Sequence, residues 1–303
     1  MTHESDMLVE RRRLKRGLAL WRALAIAALV AVVLVGVARI DDLVARDHVA
    51  RLAVEGLILA DRAVIEALAD VADDSRAKAL IVSIDSPGGT FVGGETMYLA
   101  LRGVAEKKPV VAVMGGVATS AGYMTALAAD RIFAHEGTIT GSIGVMVQTT
   151  DLTGLLDKLG VSAEAIKSSP LKATPSPLEP LTEQARAATQ SIIDDMHALF
   201  TAMVAERRGF ADERARELAD GRVYSGRQAL ELALIDAIGG EATAREWLTE
   251  EREIPESLPT RDLEIDRPSG GWLPSLVSLT GNILFSERLM LDGLLSVWHP
   301  GQG

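Results

Sequence analysis

PVVAVMGGVATSAGYMTALAADRI, residues 109–132, joins a short run of β-branched and apolar residues to a glycine pair and then to small residues at helical spacing. That order predicts a buried strand, a tight turn and the start of a closely packed helix. Ser120 stands at the junction, where a sharp strand-to-helix bend presents a hydroxyl above a sheet, the setting of a nucleophile elbow. The same position suits a helix N-cap, a role serine fills well. Unpaired N–H groups and the dipole at such a helix start favour negative charge, which makes the Ala121 amide a candidate oxyanion donor.

Upstream, RLAVEGL (51–57) and ALIVSI (79–84) are also short and rich in Val, Ile and Leu, and AVIEALADVADDSRA (63–77) between them has helical spacing. Repeated strand and helix with continuous apolar strands predicts an α/β fold, a parallel sheet covered by helices. RIFAH (131–135) and TITGSIGVM (138–146) read as a later strand pair. The second strand runs into SIDSPGGT (83–90), where Pro87 fixes a bend and Gly88 and Gly89 allow close backbone approach with outward N–H groups, the construction of an oxyanion hole. An ordinary glycine-rich turn has the same composition. From 182 to 238 the pattern is mainly helical and reads as an added layer. KSSPLKATPSPLEPLT (167–182) separates the two parts, its four prolines holding an extended path.

The chain carries a net charge of −11 and no cysteine. The acidic balance gives a nucleic-acid partner no support, and the missing thiols exclude a disulfide scaffold, a thiolate nucleophile and Cys-ligated metal. Basic residues cluster once, in ERRRLKRG (10–17), ahead of WRALAIAALVAVVLVGVARI (21–40). The uncharged interval between Arg22 and Arg39, with snorkelling arginines at its ends, is just long enough to span a bilayer. We read residues 1–20 as a cytoplasmic N-terminus and 21–40 as a single transmembrane anchor. The remainder lies on the extracytoplasmic side, the periplasmic face of a bacterial inner membrane. A cleaved signal peptide is the alternative reading of the same segment. Residues 48–245 form the expected globular domain and 246–303 a linker and amphipathic tail, with GGWLPSLVSLTGNILFSERLMLDGLLSVWHP (270–300) suited to lipid or to a neighbouring subunit.

A nucleophilic serine needs a base. Of the five histidines only His135 lies near the predicted strands, with no aspartate marked by position to orient it. Lys167 and Lys172, the last two lysines of the chain, both fall in the proline-rich segment. Lysine, unlike arginine, can give up its proton when desolvated, although a solvated surface position is the ordinary case.

SIDSPGG, GGVATSAGYMTALAADRI, TITGSIGV, IKSSPLKATPSP and GRVYSGRQALELALIDAIG occur in this order over residues 50–240. Together they closely resemble serine-protease family S49, the signal peptide peptidases, in its short, single-core-domain form. The resemblance implies a ClpP/crotonase-like spiral of βαβ units. It matches Ser120 to the family's nucleophile and Lys172 to the terminal lysine of a KSG-x-x-K pattern, the general base, with Lys167 as its opening lysine. Gly88 and Gly89, with the Ala121 amide, match the oxyanion position. It further implies peptide substrates such as signal-peptide remnants, no cofactor, and a ring-shaped homo-oligomer, an octamer, whose dyad can form across subunits. Three departures stand out. Ser120-Ala121-Gly122-Tyr123-Met124 replaces SGGYY, Ser169-Pro170 replaces the glycine of the lysine segment, and His135-Glu136 replaces Asn-Pro, which keeps a histidine base in view. A catalytically silent scaffold and a crotonase-type acyl-CoA enzyme are the rival functions.

Overall fold

The computed structural model describes residues 21–22, 24–30, 47–265 and 295–297. The chain divides into two units, 1–47 and 48–303. In the first, residues 21–22 and 24–30 are helical and expose Trp21, Leu24, Ile26, Leu29 and Val30. Among the described residues no helix is long and apolar enough to cross a membrane, and most of the expected anchor, 21–40, lies outside them.

The second unit is built on a mixed sheet. Its elements in chain order are β1 (His48–Ile58), α1 (Arg62–Asp73), β2 (Ala77–Thr90), α2 (Phe91–Ala105), β3 (Val110–Thr119) and α3 (Ala121–Leu127). There follow β4 (Arg131–Ala134), β5 (Ile139–Gly141), α4 (Thr153–Lys158), α5 (Glu183–Arg208), α6 (Asp212–Leu218), β6 (Val223–Ser225) and α7 (Gly226–Glu231). The last are β7 (Ala237–Ile238), α8 (Glu241–Arg252), β8 (Thr260–Asp262) and β9 (Leu295–Val297).

β8, β1, β2 and β3 lie side by side in parallel. β3 then divides its far edge: residues 111–114 pair with β4, which leads to β7, and residues 117–119 pair with β5, which leads to β6. The division falls at Gly115 and Gly116. β9 lies antiparallel to Gly88–Thr90 at the end of β2.

Alternation along the central strands explains why they read as unbroken apolar runs. Leu80, Val82 and Ile84 of β2, with Val110, Ala112 and Met114 of β3, face the large cluster shared with α1, α2, α3 and α5. Ala79, Ile81, Val111 and Val113 face the other way, onto Ala244 and Leu248 of α8. Both faces of the sheet are therefore covered, and each fully buried Leu, Ile or Val contributes roughly 1.5–3 kcal/mol. The region read as helical, 182–238, holds the long α5, capped by Thr182 and ended by left-handed Gly209, but also the short strands β6 and β7. TITGSIGVM forms a strand only over Ile139–Gly141, because Gly141 and Ser142 both turn into positive φ.

Candidate active site

Ser120 sits between β3 and α3 at φ 56°, ψ −119°, a conformation that costs a residue with a Cβ on the order of 1–3 kcal/mol. Its N–H donates to the Gly141 carbonyl at 2.8 Å and its carbonyl accepts from Met124 N–H at 2.9 Å. Its hydroxyl makes no capping hydrogen bond. A serine serving as an N-cap has extended backbone and an engaged side chain. Ser120 has neither, so the capping role does not account for it. Tyr123 anchors the helix that follows, burying its ring and donating from its hydroxyl to Leu234 carbonyl at 2.8 Å.

The glycine turn lies beside this elbow. β2 and β3 are realigned so that Ser86 pairs with Ala118, and Thr119 Oγ1 donates to the Pro87 carbonyl at 3.0 Å. A Cβ on Gly122 would come 3.0 Å from Ser86 carbonyl oxygen, and one on Gly89 would lie 1.8 Å from that of Ile58. Only glycine fits at 89, which marks the close passage of the turn over β1. Gly88 takes φ 121°, and its N–H donates to Ser86 Oγ at 3.1 Å. The fold thus brings Gly88, Gly89, Ser120 and Ala121 to one corner.

The lysines stand elsewhere. Lys167 pairs with Glu179 at 2.5 Å and keeps only 14% of its side chain exposed. Lys172 follows a turn closed by its own N–H to Ser169 carbonyl at 3.1 Å; its side chain is exposed and makes no hydrogen bond to Ser120 within the chain. Around it the segment exposes Leu152, Leu155, Leu159, Val161, Ile166 and Leu171. His135 caps the end of β4: its N–H donates to Thr138 Oγ1 at 3.0 Å, and its ring lies where a Cβ on Gly240 would come within 3.1 Å of Cε1. It makes no hydrogen bond to Ser120 either. Among the described residues no cluster of His, Asp and Glu could hold a metal ion.

Ser86 and Thr119, which sequence reading did not single out, prove to be the polar links of this corner. The available signal was a hydroxyl on each side of the two glycine-rich motifs, inside otherwise apolar strands.

The chain is similar to several known proteins. The model of Peptidase family S49 matches residues 102–255. slr0021 of Synechocystis sp., whose name calls it a protease, is 42% identical over 204 residues, 67% of this chain and 73% of that protein. The chloroplastic serine protease SPPA of Arabidopsis thaliana is 34% identical over 248 residues, which are 80% of this chain but 36% of the plant protein. Protease 4 of Haemophilus influenzae is 32% identical over 55% of this chain and 27% of its own length. A solved structure of a ClpP1 mutant from Listeria monocytogenes overlaps 63% of this chain and 91% of its own, at 19% identity and a TM-score of 0.40. The family match and the extent of the Synechocystis relative show that this chain belongs to peptidase family S49.

Proposed function

We propose that the protein is a membrane-anchored serine endopeptidase acting outside the cytoplasm through a Ser120/Lys172 dyad. Ser120 Oγ attacks a peptide carbonyl, and neutral Lys172 takes its proton. Backbone amides of the glycine turn and of Ala121 hold the oxyanion, and Lys172 returns the proton to the leaving amine before water releases the acyl group. The observation that carries this reading is the strained, uncapped Ser120 beside the Pro87–Gly89 turn.

Lys172 lies on an exposed, apolar-rich segment with no tie to Ser120 in the single chain. This favours a site completed by a neighbouring copy in a ring, whose interface would cover that segment and desolvate the amine. β9 against Gly88–Thr90 indicates that the edge beside the turn accepts an extended antiparallel strand, as a peptide substrate would present. The exposed apolar residues of 21–30 fit an anchor that keeps the site near signal-peptide remnants and other apolar, unfolded segments.

The test is hydrolysis of an apolar, unstructured fluorogenic peptide by the full chain in detergent. We expect activity in the wild type and in His135→Ala, and none in Ser120→Ala or Lys172→Ala. Activity that survives Lys172→Ala and disappears in His135→Ala would replace lysine with a histidine base. A wild type inert toward peptides across a broad pH range would favour the silent scaffold, and turnover of a CoA thioester the crotonase reading.

A further inference from the structure

Two buried hydroxyls outside the dyad both end on the glycine turn. Thr119, the residue before Ser120, is fully buried, and its Oγ1 holds the Pro87 carbonyl at 3.0 Å. Ser86 is equally buried; its Oγ donates to Gly56 carbonyl at 2.6 Å and accepts the Gly88 N–H at 3.1 Å. Gly56 and Gly88 both have positive φ, 66° and 121°, and the β1–β2 register shifts between Glu55 and Leu57. Two glycines facing a break in a ladder are free to adopt many conformations, and a donor that wanders stabilises an oxyanion poorly. Ser86 removes that freedom on the β1 side of the turn, and Thr119 removes it on the side of the nucleophile.

We propose that Thr119 and Ser86 are positioning residues for the oxyanion hole: their hydroxyls fix the Pro87–Gly89 backbone relative to Ser120. This rests on the reading of Ser120 as the nucleophile. The Gly88 N–H is turned into Ser86 Oγ, so the two hydroxyls act on the backbone that carries the Gly89 amide, a candidate donor to the oxyanion beside that of Ala121. Neither hydroxyl touches the substrate. Each acts through the backbone it holds.

Thr119→Val is the decisive variant, since it keeps the shape and deletes only the hydroxyl; Thr119→Ser restores it, and Ser86→Ala probes the other side. On the full chain one would measure kcat and KM on the fluorogenic peptide, the thermal midpoint, and inhibition by a peptide boronic acid, whose tetrahedral adduct imitates the oxyanion. Removing an oxyanion donor outright costs about 100- to 1,000-fold, so displacing one should lower kcat by roughly 10-fold or more. We expect that loss in Thr119→Val and Ser86→Ala, a matching loss of boronate affinity, a nearly unchanged KM, and recovery in Thr119→Ser. Wild-type kcat in Thr119→Val, or a lowered midpoint with unchanged kcat per folded molecule, would overturn the inference alone, given an active wild type. A wild type no more active than Ser120→Ala would overturn the protease reading and this inference with it.

Discussion

Asp85 Oδ1 accepts the Val117 N–H at 3.1 Å, across the point where β3 leaves β4 and takes up β5. The carboxylate lies against the glycine pair that makes this detour: a Cβ on Gly115 would meet Asp85 Cγ at 3.3 Å. One side chain of β2 therefore sets how β3 re-enters the sheet three residues before Ser120. Asp85→Ala should cost on the order of 1 kcal/mol in stability, the usual worth of such a bond, and proportionally more in activity. Asp85→Asn keeps an acceptor oxygen and should retain most of both. Urea unfolding and peptide hydrolysis on the same samples check the pair.

The backbone of Ser120 predicts an opposition between stability and activity. A left-handed φ of 56° burdens any residue with a Cβ, and glycine adopts it freely. Ser120→Ala should be inactive with nearly wild-type stability. Ser120→Gly should be inactive and more stable by about 1 kcal/mol, less the backbone entropy glycine loses on folding. Chemical denaturation of both variants decides it, and a less stable Ser120→Gly would mean that the elbow is unstrained.

Gly89 allows no relaxation of a different kind. An alanine there would place its Cβ 1.8 Å from Ile58 carbonyl oxygen, a backbone atom of the neighbouring strand that cannot swing aside. Gly89→Ala should lose several kcal/mol, at the far end of the range for single substitutions, and yield little folded protein. Gly103→Ala, in the sheet-covering helix α2, meets nothing within 4 Å, so it should stabilise by about 0.5–1 kcal/mol. Soluble yield and thermal midpoint of the two variants separate the effects.

β2 and β3 were legible because both of their faces are buried over ALIVSI and PVVAVM, whereas β1 was legible from its alternation, with Leu52 and Val54 buried and Ala53 and Glu55 exposed. RLAVEGL lies within the observed His48–Ile58, and ALIVSI and PVVAVM fall at the starts of longer strands. Their continuations through SIDSPGGT and GGVAT were not legible, since those residues look like turns and become strand only through pairings such as Ser86 with Ala118. β6 and β7, three and two residues long, are too short to show any periodicity within a helical region. Ser120 was visible from its local setting alone, whereas the hydroxyls of Ser86 and Thr119 take meaning from carbonyls on Gly56 and Pro87 that only the fold brings near.

Acid should loosen one edge of the sheet before the site. Arg51 on β1 donates to Asp262 at 2.5 and 3.0 Å and to Glu241 at 3.1 Å, and these bonds join β8 and α8 to the sheet. The hydrogen bond from Arg51 holds the Asp262 carboxyl below its usual range. A carboxyl lowered in the folded state stabilises fully above its unfolded value, near 4, and that contribution fades as pH falls through the lower folded value. The pair is largely exposed, so the effect is small and local. Amides of β8, and the Leu263 N–H just beyond it, bonded to Arg51 carbonyl at 2.8 Å, should lose protection as pH falls below about 4. Asp262→Asn should abolish that dependence in hydrogen exchange.

Lys167 and Lys172, five positions apart on one segment, separate a structural lysine from the proposed base. Lys167 is mostly buried and paired with Glu179, so its charge is engaged in holding the proline-rich segment to itself. Removing one partner leaves the other partly buried and unpaired, a cost of a few kcal/mol confined to that segment. Lys167→Met should therefore raise KM and lower activity only partly, and Glu179→Gln should resemble it, because both loosen the same loop. Lys172→Met should abolish turnover while leaving the thermal midpoint unchanged, since its side chain is exposed in the single chain. Full turnover in Lys172→Met, with loss in Lys167→Met, would move the base to the paired lysine and require Glu179 to release it.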